Sequence, residues 1–149
     1  MIIADLMTPF PKTLDSSATI QKAAQMMRDD DFGVIPIVDN AGMLVGIVTD
    51  RDIVINAIAD GRGPDTPVER CMTARPDTVS KDITIEQAMT IMSSRQIRRL
   101  PVVESGRLIG MLSLSDIATS VAPADEKAKA LEDVSLGTDD MRASNVYSG

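Results

Sequence analysis

Twice in this chain an apolar run leads from a glycine to a hydroxyl residue, with an aspartate three positions further on. The segments are Gly46-Ile47-Val48-Thr49-Asp50-Arg51-Asp52 and Gly110-Met111-Leu112-Ser113-Leu114-Ser115-Asp116. At the start of a helix, Thr49-x-x-Asp52 and Ser113-x-x-Asp116 have the form of capping boxes, in which hydroxyl and carboxylate satisfy first-turn N–H groups. The same geometry suits a ligand. A phosphate can bind beside the hydroxyls at the positive end of a helix, and an aspartate one turn in can accept hydrogen bonds from ribose hydroxyls. Spacing alone leaves both readings open. The preceding glycines, Gly46 and Gly110, permit a close backbone approach.

Composition narrows the remaining chemistry. The 149 residues include no histidine, no tryptophan and one cysteine, which removes Ser-His-Asp and Cys-His triads, His-liganded zinc and internal disulfides. Without a paired constellation of carboxylates or lysines there is no candidate catalytic residue, and the chain reads as a non-enzyme. Cys71, beside Met72, is expected to pack as a small apolar group. The net charge of −7 and only three aromatics, Phe10, Phe32 and Tyr147, argue against a nucleic-acid polymer as partner. No apolar run approaches the roughly 18–20 residues of a membrane span, and the N-terminal segment has no signal-peptide pattern, so a cytoplasmic protein without a membrane partner is expected. Asp29-Asp30-Asp31 lacks the turn glycine and ligand spacing of a calcium loop and reads as a solvated helix end, so no metal site is expected. The ten methionines read mostly as core filler.

The elements that must position these residues are duplicated. Asp5-Leu6-Met7-Thr8 aligns with Arg70-Cys71-Met72-Thr73, and the correspondence continues through Thr19-Ile20 with Thr84-Ile85, Pro36 with Pro101, Gly46 with Gly110 and Asp52 with Asp116. In each copy apolar residues recur at helical spacing, Ile20, Ala23, Ala24, Met27 and Ile85, Ala88, Met89, Met92. Thr84 with Gln87 predicts a capping box, whereas Thr19 has Lys22 at the reciprocal position. Two β-rich runs around a short turn then predict a hairpin, Val34–Val38 with Leu44–Val48 and Leu100–Val103 with Leu108–Leu112. A second helix follows, from Asp50 to about Asp60 and from Ser115 to about Val121. With short strands near Thr13-Leu14 and Thr78-Val79, each copy is β-α-β-β-α, in an α+β fold. The divisions are 1–62 for the first repeat, 63–67 for a Gly- and Pro-rich linker, 68–122 for the second repeat and 123–149 for a polar tail, expected as a short helix around Glu126–Asp133 and then disorder. Units of about 50 residues are marginal alone, so the copies are expected to bury their sheets against each other.

Met7-Thr8 and Met72-Thr73, Ile35-Pro36-Ile37-Val38 and Arg98-Arg99-Leu100-Pro101-Val102-Val103, and the two Gly-to-Asp segments together resemble a tandem pair of CBS domains, a stand-alone Bateman module, over roughly residues 1–122. The resemblance implies two β-α-β-β-α repeats packed sheet to sheet as a pseudo-two-fold pair, and a non-catalytic sensor. Its ligand would be an adenosine-containing nucleotide of the AMP, ADP or ATP class, with NAD or S-adenosylmethionine as further possibilities, held in the cleft between repeats. The resemblance also implies a homodimer and an unidentified target protein. The nucleotide-binding residues it implies are Thr49, Arg51 and Asp52 in the first copy and Ser113, Ser115 and Asp116 in the second. Thr13 and Thr78 would border the adenine, which would lie among aliphatic groups near Ile35-Pro36 and Leu100-Pro101.

The copies differ in countercharge. The second carries Arg95, Arg98 and Arg99 before Leu100-Pro101, and in similar modules a basic pair at Arg98-Arg99 reaches the phosphates; the first carries Asp30, Asp31, Phe32, Gly33 and Val34 there. Arg51 is either the first copy's phosphate partner or a solvated first-turn residue. Two functions remain in view: a regulatory module that binds an adenine nucleotide, and a structural interaction module whose motifs only cap helices.

Overall fold

The computed structural model describes residues 2–120. In chain order it contains β1 (Thr8–Pro9), α1 (Ile20–Asp30), β2 (Val34–Val38), β3 (Leu44–Thr49), α2 (Asp50–Ile53), β4 (Thr73–Ala74), α3 (Ile85–Arg95), β5 (Arg99–Glu104), β6 (Arg107–Ser113) and α4 (Leu114–Ala118). The expected α+β class is found. The predicted ends of the last helix at Val121 and of the second repeat at 122, and the tail from 123, lie outside the described residues.

Compactness groups Lys12–Pro76 into one unit and residues 2–11 with 77–120 into the other. In the Lys12–Pro76 unit, α1 starts where the Thr19 hydroxyl accepts the Lys22 N–H at 3.1 Å, with no reciprocal bond, as Lys22 dictated. Strands β2 and β3 pair antiparallel around Asp39-Asn40-Ala41-Gly42, where the Asp39 carboxylate accepts the Ala41 and Met43 N–H groups and Gly42 takes a φ of 82°. Ile35, Ile37 and Val48 point inward against Ile20, Ala23, Ile53, Ala57, Val68 and Cys71. After α2 the helix continues as a π-helical turn, Val54–Ile58, and the Ala59 N–H reaches back five residues to the Val54 carbonyl.

The other unit repeats this plan with better local signals. The Thr84–Gln87 box forms in both directions, at 2.9 and 3.1 Å. Ile85, Ala88, Met89 and Met92 are all buried, whereas Ala24 of the first helix is exposed. Two residues, 105–106, connect β5 to β6, where five, 39–43, connect β2 to β3. Ser105 and Gly106 both take positive φ, 53° and 80°, as a tight hairpin of right-handed twist requires.

Two expectations from the sequence do not hold in the structure. Thr13-Leu14 and Thr78-Val79 do not form strands; each segment contributes a single parallel bridge, Leu14 to Ile37 and Val79 to Val102. The third strand of each sheet is instead the Met-Thr segment 65 positions away in the repeat: the sheets run β2-β3-β4 and β1-β6-β5. Met72-Thr73 therefore closes the sheet of the preceding repeat, and Met7-Thr8 the sheet that begins with β5. The glycines take their meaning from this. A Cβ on Gly46 would lie 2.7 Å from Met72 Sδ and 2.9 Å from the Thr73 carbonyl oxygen; on Gly110 it would meet Met7 Sδ at 2.5 Å and the Thr8 carbonyl oxygen at 3.1 Å. The close backbone approach that these glycines permit is that of a crossing strand and its methionine, not of a ligand.

Candidate functional site

In each unit the hydroxyl-Asp motif lies at the junction of hairpin and second helix. In residues 77–120, the Ser113 N–H donates to Asp116 Oδ2 and the Asp116 N–H to Ser113 Oγ, both at 3.0 Å. In Lys12–Pro76, Thr49 and Asp52 exchange the same two bonds at 3.0 Å. Both motifs are therefore complete capping boxes. Capping uses one carboxylate oxygen of each aspartate. Ser115 adds its hydroxyl 3.0 Å from that of Ser113, placing two hydroxyls and a carboxylate together; Ser113 is only 6% exposed, whereas Ser115 is exposed.

The backbone beside each motif is fixed by an equivalent bond. The Leu114 N–H donates to the Arg98 carbonyl at 2.7 Å, and the Asp50 N–H to the Gly33 carbonyl at 3.0 Å. Arg98 and Arg99 are thus carried to the start of α4. Burial pushes the Arg98 guanidinium down from its usual range. The Arg99 guanidinium is also pushed down by burial, with Asp116 opposing that shift and Arg98 adding to it. Arg98 Nε and the side-chain oxygen of Gln96 are buried without hydrogen-bond partners among the described residues. A buried donor or acceptor left unmade costs about 1–3 kcal/mol, which an incoming polar ligand can recover. Arg95 is exposed on the last turn of α3.

The other unit has the opposite electrostatics. The Asp52 carboxyl is pushed above its usual range by burial; the Thr49 bonds pull it down, Asp50 raises it further and Arg51 opposes. Asp50 Oδ1 accepts the Arg51 N–H at 2.9 Å. Arg51 is exposed.

The expected adenine-bordering positions divide. Thr13 precedes Leu14, whose N–H donates to the Pro36 carbonyl at 3.2 Å; Thr78 precedes Val79, whose N–H donates to the Pro101 carbonyl at 3.1 Å. Each threonine is therefore held beside its proline. Ile35 and Leu100 are fully enclosed in the cores of their own units, leaving only backbone for a ligand. Pro36 and Pro101, one residue on, point to the opposite sheet face by strand alternation.

Other candidates resolve plainly. Asp29 pairs with Arg28 and Asp30 with Lys12, each at 2.8 Å, as suits an exposed helix end. Cys71 is 3% exposed in its core, and burial pushes its thiol up, with Asp52 adding to the shift and Arg62 opposing it. Sequence reading missed Gln96 and Asp50. Gln96 caps α3 with a φ of 56°, and Asp50 gains meaning only from its packing on Gly33. Among the described residues no helix is long and apolar enough to cross a membrane.

The family model for the CBS domain matches residues 3–57 and 68–123. The chain is 35% identical over 133 residues to the CBS domain-containing protein YhcV of Bacillus subtilis, covering 89% of this chain and 94% of that protein. Among solved structures it is similar to CBSX2 in complex with AMP, at a TM-score of 0.71 and 26% identity, covering 78% of this chain and 92% of that one. The CBS domain pair of MJ0100, in complex with 5′-methylthioadenosine and S-adenosyl-L-methionine, gives a TM-score of 0.71 at 30% identity, covering 79% and 93%.

Proposed function

Because the chain belongs to the CBS domain family and carries the domain twice, we propose that it is a non-catalytic regulatory module that binds an adenosine-containing nucleotide and signals through a dimer or a partner protein. The observation that carries this reading is the grouping of Arg98, Arg99, Ser113, Ser115 and Asp116 at one junction. Two guanidinia supply charge for phosphate, two hydroxyls supply donors, and a carboxylate has an oxygen outside the capping box for ribose hydroxyls. Thr78 borders the base. The buried polar atoms of Gln96 and Arg98 that lack protein partners support the same reading, because a polar ligand can supply their hydrogen bonds. Thr13, Thr49, Arg51 and Asp52 form the corresponding set in the other unit. The ligands of CBSX2 and MJ0100, AMP in one and two adenosine compounds in the other, favour adenosine as the shared element.

Val54, Ile55 and Ile58 are about half exposed on one helical segment and make a second copy of the chain the fitting partner for that face. A cytoplasmic setting suits the single reduced cysteine.

Isothermal titration with AMP, ADP, ATP, NAD and S-adenosylmethionine tests the ligand. Saturable heat with at least one of them, lost in Arg98→Ala/Arg99→Ala, is the expected result; no heat and no thermal shift at millimolar ligand would refute it. The completeness of both capping boxes favours a second reading, a purely structural interaction module. Under it the same titrations stay silent while Ser113→Ala still destabilises the fold.

A further inference from the structure

The two units are built alike at one backbone junction and charged oppositely there. The Asp50 N–H meets the Gly33 carbonyl where, in the other unit, the Leu114 N–H meets the Arg98 carbonyl. Gly33 therefore corresponds to Arg98, Asp50 to Leu114, and Val34 to Arg99. A Cβ on Gly33 would lie 3.3 Å from Asp50 Cγ and from both its carboxylate oxygens. The carboxylate thus covers the direction in which an arginine side chain would leave position 33. Leu114, its counterpart, is buried in the core and brings no charge.

We infer that the two units select different adenosine compounds: residues 77–120 take the phosphorylated nucleotide, and Lys12–Pro76 takes an adenosine compound without a 5′-phosphate, Asp50 being the residue that excludes phosphate. The inference rests on the adenosine reading above and deepens it. Charges at the two junctions carry it. One junction has two guanidinia, Arg98 and Arg99, for a single carboxylate, Asp116; the other has two carboxylates, Asp50 and Asp52, for the single guanidinium of Arg51. A 5′-phosphate brings nearly two negative charges. It gains at the first junction and is repelled at the second, where Asp50 already opposes ionisation of its neighbour Asp52. Ribose recognition is untouched by this difference, since Asp52 and Asp116 are held by identical capping bonds. A neutral nucleoside meets no penalty beside Asp50.

Titrating the full chain with AMP, then titrating the AMP-saturated protein with adenosine, tests the inference. Wild type should take one equivalent of AMP and, once saturated, a further equivalent of adenosine. Asp50→Asn, nearly isosteric, and Asp50→Leu, the residue of the other unit, should each improve AMP binding at the second site by about tenfold or more, so that AMP competes with adenosine there. Two equal AMP sites in wild type, or no adenosine uptake after AMP saturation, would overturn the inference and leave the nucleotide reading intact. Failure of both ligands to bind anywhere would overturn the nucleotide reading itself. Circular dichroism and unfolding midpoints of both variants check that each is folded, since the Asp50 bond to Gly33 is made by backbone and survives either change.

Discussion

The Asp116 carboxylate accepts the Ser113 N–H at 3.0 Å while the Ser113 hydroxyl accepts the Asp116 N–H at the same distance, so one pair of side chains both starts a helix and forms the proposed ribose site. The two roles separate by substitution. Asp116→Asn keeps an acceptor for the Ser113 N–H and removes the charge. It should leave stability within about 0.5 kcal/mol and weaken nucleotide binding by about tenfold or more, as the loss of a charge-assisted bond does. Ser113→Ala loses the cap itself and should cost about 1 kcal/mol by urea unfolding. If Asp116→Asn binds nucleotide like wild type, the motif is a cap and nothing more.

Gly46 has no room for a methyl group. Gly46→Ala should destabilise the chain by about 1–3 kcal/mol, because the added carbon would be 2.9 Å from a backbone oxygen that belongs to the crossing strand β4. Denaturant midpoints measure this directly. A neutral substitution would mean that β4 does not cross there.

Asp52 sets a pH dependence with a definite sign. Burial raises its carboxyl above the ordinary 3.8, so the folded chain holds this proton more tightly than the unfolded chain. Its contribution to stability is therefore greatest below 3.8, falls as the pH rises through the raised value, and is flat above it. Asp52→Asn keeps an acceptor for the Thr49 N–H and cannot titrate. Relative to wild type the variant should gain stability as the pH rises from 3.8 through the raised value of the carboxyl, and no more above it. A constant difference across that range would contradict the burial of this carboxyl.

Ile58 is 57% exposed on the helical segment proposed to face a second copy of the chain. Ile58→Glu should convert a dimer to a monomer in light scattering while changing monomer stability by no more than about 0.5 kcal/mol. An unchanged mass would remove that face from the interface.

Cys71 should react with a thiol reagent only as fast as its unit opens. Its thiol is enclosed and its thiolate disfavoured by burial and by Asp52. Ellman's reagent added with and without urea measures the ratio; rapid labelling of the native chain would show the core to be open at that point.

Much of this protein was legible in its sequence because the signals are local. Apolar spacing placed α1 and α3, the Thr84–Gln87 pair started a helix as three-residue spacing predicts, and both hydroxyl-Asp pairs closed into boxes. Capping and turn chemistry act within one turn of chain, so residue types at fixed offsets suffice to specify them. The duplication repeats the apolar spacing and the hydroxyl-Asp pair in a second copy.

What sequence order could not decide was which segments pair across long distances. Thr8–Pro9 joins β6 about a hundred residues away, and Thr73–Ala74 joins β3 of the repeat before it. A two-residue strand carries too little periodicity to announce its partner; the choice is made by the gap above Gly46 or Gly110 that a methionine fills. The charge at each junction was settled in the same way. Arg98, Arg99 and Asp50 are plain in the sequence, but only the packing of Asp50 over Gly33, against Leu114 turned into the core, makes one junction cationic and the other anionic. Residue types fixed what chemistry was available, and non-local packing, which depends on the whole chain closing at once, fixed where it could act.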